Sequence, residues 1–119
     1  MGKLTVQIFA ENLLEVFEHY KRAFNAELLG TAKGSQDELI HLEMDIVGNK
    51  VAVAPHARHE IHKGNVTVIC LRFPDRFALV QAYNVLCEDG FSNGLQELPW
   101  AQIEGYVTDK FGVVWCIGV

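Results

Sequence analysis

Lys and Arg form no cluster anywhere in this sequence, and together they number 10 against 15 Asp and Glu residues. The formal net charge at pH 7 is −5. Proteins whose main partner is a nucleic acid or an anionic membrane usually present a concentrated basic surface. The charge pattern therefore argues against both nucleic acid and membrane as partners.

Apolar runs of membrane-spanning length are missing, and the N-terminus carries no apolar signal segment. Cysteine is scarce as well: Cys70, Cys87 and Cys116 are odd in number, widely spaced and embedded in apolar segments. This distribution does not suit a disulfide framework and favours free thiols in a reducing compartment. We therefore expect a cytoplasmic protein.

Motifs that bind common cofactors are absent too. The chain contains no nucleophile elbow, phosphate-binding loop, dinucleotide fingerprint or paired-cysteine zinc motif, and we expect no cofactor. The chain is rich in apolar residues: 50% of its 119 residues are hydrophobic and only 21% are charged. That composition and length predict one globular domain with a substantial core.

Apolar periodicity predicts the element order β-α-β-β-β twice along the chain. Strands are indicated by alternation, as in segment 39–47, and helices by a stripe of apolar residues behind a capping residue such as Asn12. The predicted strands are 3–10, 26–31, 39–47, 50–55, 66–73, 91–97, 102–109 and 113–119, and the predicted helices are 13–25 and 75–88.

The two halves superimpose in sequence at a shift of 63 residues, which carries Tyr20 onto Tyr83 and the turn at Asn49 onto Gly112. Neither half alone covers both faces of its sheet, so we expect the pair to act as one folding unit. The prediction is a single α+β domain over 1–119. It consists of modules at about 3–55 and 65–119, joined by a polar loop at 56–64.

The C-terminal segment 106–115 predicts a strand, a tight turn and a second strand. Asp109 and Gly112 bracket the turn, and Gly112 can adopt the positive φ that short hairpin connections require. The pattern Asp-x-Phe-Gly-x-x-Trp in this segment resembles PhnB-like members of the glyoxalase/bleomycin-resistance/dioxygenase superfamily, also called vicinal oxygen chelate proteins. Segment 7–9 before the first helix and Trp100 ahead of the hairpin extend the resemblance over the whole chain.

The resemblance implies two modules whose curved sheets enclose an open cleft, and a homodimer, since members commonly complete their clefts across a subunit interface. It also implies His, Glu or Gln metal ligands on the first and last strands of each module. Carried onto this sequence, those four positions read Thr5, Val53, Val68 and Cys116. Two valines cannot bind a metal, so we predict that the inherited metal site is lost.

Strand alternation separates a strongly apolar face, expected to meet the helices, from a mixed face expected to line the cleft. Arg72 on the mixed face is either an anchor for an anionic group or a surface partner of Asp75. Trp100 is either a lid or a packing plug. The predicted ligand-binding residues are Thr5, Gln7, Phe9, Val53, Val68, Cys70, Arg72, Trp100, Val114 and Cys116.

Three functional hypotheses follow. The first is a metal-independent protein that binds a small organic molecule in the cleft, and the second is a dimeric scaffold without a ligand. The third is a lyase or dioxygenase-type enzyme with a relocated metal, held by His41, Glu43 or the histidine loop 56–62. The pattern leaves open whether Cys116 is a nucleophile or an inert buried thiol.

Overall fold

The structure is a computed structural model that describes residues 2–56, 59–100 and 103–119. The chain divides into two compact units, Met1–His62 and Lys63–Val119. The first unit contains β1 (Val6–Phe9), α1 (Leu13–Phe24), β2 (Glu27–Lys33), β3 (Leu39–Ile46) and β4 (Asn49–Ala54). The second contains β5 (Ile69–Arg72), α2 (Arg76–Leu86), β6 (Phe91–Ser92), β7 (Glu104–Thr108) and β8 (Val114–Gly118). The predicted α+β class and the doubled β-α-β-β-β order are confirmed.

Each unit carries one open four-stranded mixed sheet with the same topology. The strand orders are β1-β4-β3-β2 and β5-β8-β7-β6. In each sheet the first and last strands of the unit are parallel neighbours, and the remaining pairs are antiparallel. The helix that follows the first strand supplies the crossover that a parallel pair needs.

Helix α1 begins where the sequence predicts. The Asn12 side-chain oxygen accepts a hydrogen bond from the Glu15 amide at 3.1 Å, and the helix ends at Asn25 in a left-handed conformation with φ of 56°. Its buried stripe includes Val16 and Tyr20, both 0% exposed. This stripe packs on the apolar side of β3 and β4, so burial rather than propensity holds the helix in place.

Helix α2 is capped by Asp75, whose Oδ1 accepts a hydrogen bond from the Ala78 amide at 2.9 Å. Leu79, Ala82 and Leu86 are fully buried on its inner face. Asp75 serves as the helix cap, and Arg72 is paired with Glu104 instead of with Asp75.

Several predicted strand boundaries differ from the structure, and the strand predicted over 66–73 covers only Ile69–Arg72. The first strand begins at Val6, and Leu4 is 91% exposed instead of facing the helix. The strand predicted over 91–97 stops at Ser92, since Gly94 adopts a φ of 106° and leaves only an isolated bridge from Gln96. The predicted start of the next strand, Gln102, lies outside the described residues. Within the part of the chain that the structure describes, no helix has the length and apolar character needed to span a bilayer.

Candidate functional site

The sheet of each unit has one face that packs against its helix and one that we call the open face. Residues paired across neighbouring strands point to the same side of a sheet. In the second unit, Val107 and Trp115 are paired, 0% exposed, and therefore lie on the helix side. Tyr106, Cys116 and Cys70 are the next paired row and lie on the open face.

In the first unit the register corrects one predicted site residue. Val53 is paired with Leu42 and Ile8 and is 0% exposed, so it faces the helix. Its expected place on the open face is taken by its neighbours Ala52 and Ala54. The parallel strand pairs join residues that are 45 apart in the first unit and 46 apart in the second. The constant shift of 63 that matched Val53 with Cys116 is therefore wrong by one residue at Val53, and one residue changes the face of the sheet.

The other first-strand candidates, Thr5, Gln7 and Phe9, occupy the open side of the first unit. Thr5 lies just before β1 and is exposed, Gln7 is exposed, and Phe9 is half-buried. The Phe9 ring stacks on the ring of His59, with 4.5 Å between centroids. His59 therefore lies over the open face of its own unit.

The open face of the second unit contains a groove of about 280 Å³. Its floor is formed by Val68 and Val114, and its walls by the rings of Phe91 and Tyr106. The polar groups of the groove are uncharged, and the residues that line it are Asn65, Val68, Phe91, Ser92, Asn93, Tyr106, Thr108 and Val114. A shallow apolar floor with aromatic walls and a few amide and hydroxyl groups suits a small, flat organic molecule.

A second hollow of about 310 Å³ adjoins this groove, sharing Asn65, Thr108 and Val114 with it. It extends to Lys63 and to Gly112 in the β7–β8 turn. The aliphatic part of Lys63 lies directly over Gly112, where a Cβ atom would be 3.1 Å from the lysine Cδ. The combined surface is thus aromatic at one end and carries a cation at the other.

Cys116 lies at the far side of the groove floor from this lysine. It is buried, at 5% exposure, and burial raises the pKa of its thiol to about 11, with further contributions from Glu104 and Cys70. The Cys116 thiol in turn raises the pKa of Tyr106 through electrostatic repulsion and a hydrogen bond. Both groups are therefore protonated at neutral pH, which argues against Cys116 as an activated nucleophile.

Arg72, expected as an anion anchor, is paired with Glu104 across β8. Gly118 lies between them in the register, and a Cβ atom there would collide with the Arg72 guanidinium. The missing side chain allows Arg72 to cross the strand and reach the carboxylate. This pair places a carboxylate of the same unit against the guanidinium, and a ligand anion at Arg72 would have to compete with it.

The strand-face residues His41 and Glu43 lie on the open face of the first unit. His41 Nε2 is 3.0 Å from Glu43 Oε2, and Lys50 Nζ is 3.3 Å from Glu43 Oε1. Hydrogen bonds from His41 and then from Lys50 lower the pKa of Glu43. A relocated metal at Glu43 would therefore have to compete with His41 and Lys50 for the carboxylate.

The described residues of the histidine loop do not form a metal site. His62 Nε2 is 3.7 Å from Glu60 Oε1, both side chains are largely exposed, and His59 is stacked on Phe9. Among residues 2–56, 59–100 and 103–119, no three His, Cys, Asp or Glu side chains are grouped so that they could hold a metal ion. Trp100 is 80% exposed and therefore not a packing plug.

The motif that carried the family resemblance has a structural role. Asp109 is buried, and its Oδ1 accepts hydrogen bonds from the amides of Phe111 and Val113, each at 3.0 Å. Its Oδ2 accepts one from the indole Nε1 of Trp115 at 2.9 Å. Gly112 has a φ of 90°, as predicted. Asp, Gly and Trp at this spacing therefore fasten the β7–β8 hairpin to the helix-side core.

Sequence reasoning missed most of the aromatic and polar lining of the groove. Phe91, Tyr106 and Thr108 were assigned to strands but not to the site. Phe91, Thr108 and Val114 form one row of the open face only through the strand register, which the sequence alone does not give.

No family model matches the chain, and no curated protein matches it in sequence. Solved structures do match over nearly the full length. A PhnB protein from Bacillus cereus has a TM-score of 0.84 at 17% identity, covering 98% of each chain. A glyoxylase/bleomycin resistance protein/dioxygenase domain from Frankia has a TM-score of 0.74 at 12% identity, covering 100% of this chain and 97% of that one.

The fosfomycin resistance protein FosX from Listeria monocytogenes has a TM-score of 0.75 at 10% identity, covering 98% of this chain and 91% of that one. Identities this low show the fold alone, and the same fold hosts unrelated functions. The chain has the fold of the glyoxalase/bleomycin-resistance/dioxygenase superfamily, with PhnB-like proteins among its structural neighbours.

Proposed function

We propose that this protein binds a small, flat organic molecule in the groove on the open face of its second unit, without the help of a metal ion. The observation that carries the proposal is the arrangement of two exposed rings, Phe91 and Tyr106, over a floor of Val68 and Val114. Phe91 is 66% exposed and Tyr106 59% exposed. Exposed aromatic side chains grouped around a hollow are typical of a ligand site, because their burial by a ligand is favourable.

The polarity of the groove narrows the ligand class. Asn65, Asn93 and Thr108 offer uncharged donors and acceptors, and Lys63 at the end of the adjoining hollow offers one cation. An aromatic ring system with a carboxylate at one end would satisfy both features. An ammonium group at the Lys63 end would be repelled, since a like charge would approach without a compensating partner.

The metal-independent part of the proposal rests on the side chains at the positions that the family uses for ligands. Thr5 and Val68 are poor ligands or none, Val53 faces the helix, and Cys116 keeps its proton at neutral pH. At the alternative site, Glu43 is engaged by Lys50 and His41. The relocated-metal enzyme therefore has less support than metal-independent binding. The ligand-free scaffold also has less support, because it gives no role to the aromatic groove.

Binding is tested with 1-naphthoate as the first probe, measured by calorimetry and by the rise in melting temperature. Phe91→Ala and Tyr106→Ala should each weaken binding by about tenfold or more, because each removes a ring that buries apolar area against the probe. Phe77→Ala is the matched control, since Phe77 is 79% exposed on α2 and lies away from the groove. Lys63→Gln should weaken 1-naphthoate but not the neutral 1-naphthalenemethanol.

Two results would contradict the proposal. If neither probe binds, or if Phe77→Ala weakens binding as much as Phe91→Ala, the groove is not the site. If binding requires added divalent metal and Glu43→Gln abolishes it, the relocated-metal enzyme replaces the proposal.

We further propose that the protein is a homodimer in the cytoplasm, as the resemblance implies. The thiols of Cys70, Cys87 and Cys116 are free, which suits a reducing compartment. Light scattering coupled to size-exclusion chromatography gives the mass of the particle directly. A particle of 13.3 kDa, the mass of one chain, at micromolar concentration would contradict the dimer.

A further inference from the structure

Asn93-Gly94 is the only Asn-Gly dipeptide of the sequence, and Asn93 lines the groove of the second unit. Asn93 follows directly after β6 and is exposed. In such a dipeptide the amide nitrogen of the glycine can attack the side-chain carbonyl carbon of the asparagine, because glycine has no Cβ atom to hinder the approach. Gly94 has a φ of 106°, and a Cβ atom built there would have no heavy atom within 4 Å. The backbone at this point therefore has room for the ring closure.

Other exposed asparagines of the chain lack this combination. Asn65 lines the same groove, but it is followed by Val66, whose β-branched side chain crowds the amide nitrogen that would have to attack. Asn49, in the β3–β4 turn, is followed by Lys50, and its side-chain amide donates hydrogen bonds to two backbone carbonyls. Exposure is therefore shared by all three asparagines, whereas the unhindered nitrogen belongs to Asn93.

The Ser92 hydroxyl opposes the reaction at this nitrogen. The Gly94 amide donates a hydrogen bond to Ser92 Oγ at 3.0 Å, and the nitrogen must lose this proton in order to attack. Ser92 Oγ is itself held in place, because it donates to the Tyr106 carbonyl at 2.7 Å and accepts from the Tyr83 hydroxyl at 3.2 Å. Breaking the Gly94 hydrogen bond is therefore an added cost of the reaction in the folded protein.

We propose that Asn93 is a site of spontaneous deamidation, that Ser92 restrains the reaction, and that the product gives the groove a negative charge. The Gly94 nitrogen forms a bond to Asn93 Cγ, the Cγ–Nδ2 bond breaks, and ammonia leaves with the amide proton. Water then opens the succinimide ring to aspartate or isoaspartate, so no oxidant or reductant is needed. The residues that line the groove are uncharged, and the new carboxylate therefore disfavours anionic ligands. This last consequence rests on the proposed function, whereas the deamidation does not.

The deamidation is measured by peptide mapping of protein that has been kept at mildly alkaline pH, below its melting temperature. Mass spectrometry detects the conversion of an amide to an acid at each asparagine separately. We expect Asn93 to react faster than Asn65 and Asn49, and more slowly in the folded protein than in the urea-unfolded chain. Reaction at Asn65 as fast as at Asn93 would overturn the assignment of the site. Equal rates at Asn93 in the folded and unfolded chains would overturn the restraint, without recourse to any variant.

Two variants isolate the Ser92 hydrogen bond. Ser92→Ala should speed deamidation of Asn93 by about two- to tenfold, the factor that corresponds to one neutral hydrogen bond. Tyr83→Phe is the matched control, because it removes one partner of the same hydroxyl and leaves the bond from Gly94 in place. Equal rates for the two variants would contradict the role of Ser92.

The effect of the charge is measured with Asn93→Asp, which carries the carboxylate without the lengthened backbone of isoaspartate. At low salt this variant should bind 1-naphthoate about threefold or more weakly than the wild type, because like charges repel, and high salt should remove the difference. The neutral 1-naphthalenemethanol should bind both proteins equally. Equal affinity of both proteins for 1-naphthoate would refute the effect on the groove. If 1-naphthoate binds neither protein, the proposed function fails, and the deamidation rates still decide whether Asn93 is a modification site.

Discussion

Replacing Asp109 by Ala should cost the protein more stability than any other single change in the β7–β8 turn. The substitution removes the acceptor for the Trp115 indole, whose side chain is 0% exposed, and for the amides of Phe111 and Val113. A buried donor left without its acceptor costs about 1–3 kcal/mol, and each of the two lost amide hydrogen bonds costs about 0.5–1.5 kcal/mol. Together these contributions predict a loss of roughly 2–6 kcal/mol in the free energy of unfolding.

The chain contains a matched control for this variant in its other hairpin. Asp45 occupies the corresponding turn of the first unit, and its Oδ2 accepts a hydrogen bond from the exposed Gly48 amide at 3.1 Å. Asp45→Ala removes only a solvent-exposed contact and should cost less than about 1 kcal/mol. Urea unfolding followed by circular dichroism measures both losses. Equal losses for the two variants would refute the idea that the buried indole contact dominates.

A double-mutant cycle isolates that contact. Asp109→Asn preserves an oxygen for the turn amides but can present an NH₂ group to the indole, and Trp115→Phe removes the indole donor. If the Asp109–Trp115 contact is as strong as its burial indicates, the two losses should be non-additive by about 1 kcal/mol or more. Simple additivity would assign the whole effect of Asp109 to the turn.

Two further predictions concern the same unit. Gly112→Val should lower the free energy of unfolding by roughly 1–3 kcal/mol. A β-branched residue resists a φ of 90°, and its Cβ atom would press on the Lys63 side chain. An unchanged melting temperature would contradict this prediction. The pKa of Cys116, raised in the folded state from an ordinary value of 9.0 to about 11, means that the folded state keeps a proton that the unfolded state loses. Stability should therefore fall as pH rises from about 9 to about 11, and Cys116→Ala should flatten that decline in a pH series of thermal melts.

The fold was predictable because its signals are local. Alternation in segment 39–47, the cap Asn12, and the positive φ of Gly112 each act over a few residues, so each can be recognised in a sequence. The hairpin motif around Asp109 was specific for the same reason, since its hydrogen bonds join residues two to six positions apart. Those contacts stabilise a turn and carry no chemistry. A motif of this kind identifies a fold without identifying a function.

The open face was harder to predict because its composition depends on register between distant strands. A shift of one residue moves every side chain of a strand to the other face, and this phase error placed Val53 on the wrong side. Arg72 illustrates a second limit. Its side-chain direction was inferred correctly, but its partner, Glu104, is 32 residues away and becomes a neighbour only because Gly118 leaves the path across β8 clear. Alternation predicts which face a residue occupies, whereas its partner depends on strand order.

The groove in the second unit shows how these two kinds of information combine. Phe91 and Tyr106 come from two strands and Val68 immediately precedes a third, and no spacing along the sequence connects them. Once the order β5-β8-β7-β6 is known, Phe91 lies in the row of Thr108 and Val114, and Tyr106 lies in the next row with Cys116 and Cys70. The same residues that are inconspicuous in sequence then form the most chemically varied surface of the unit. A function for this chain should therefore be sought on that face, where the rings of Phe91 and Tyr106 are exposed and form no part of the core.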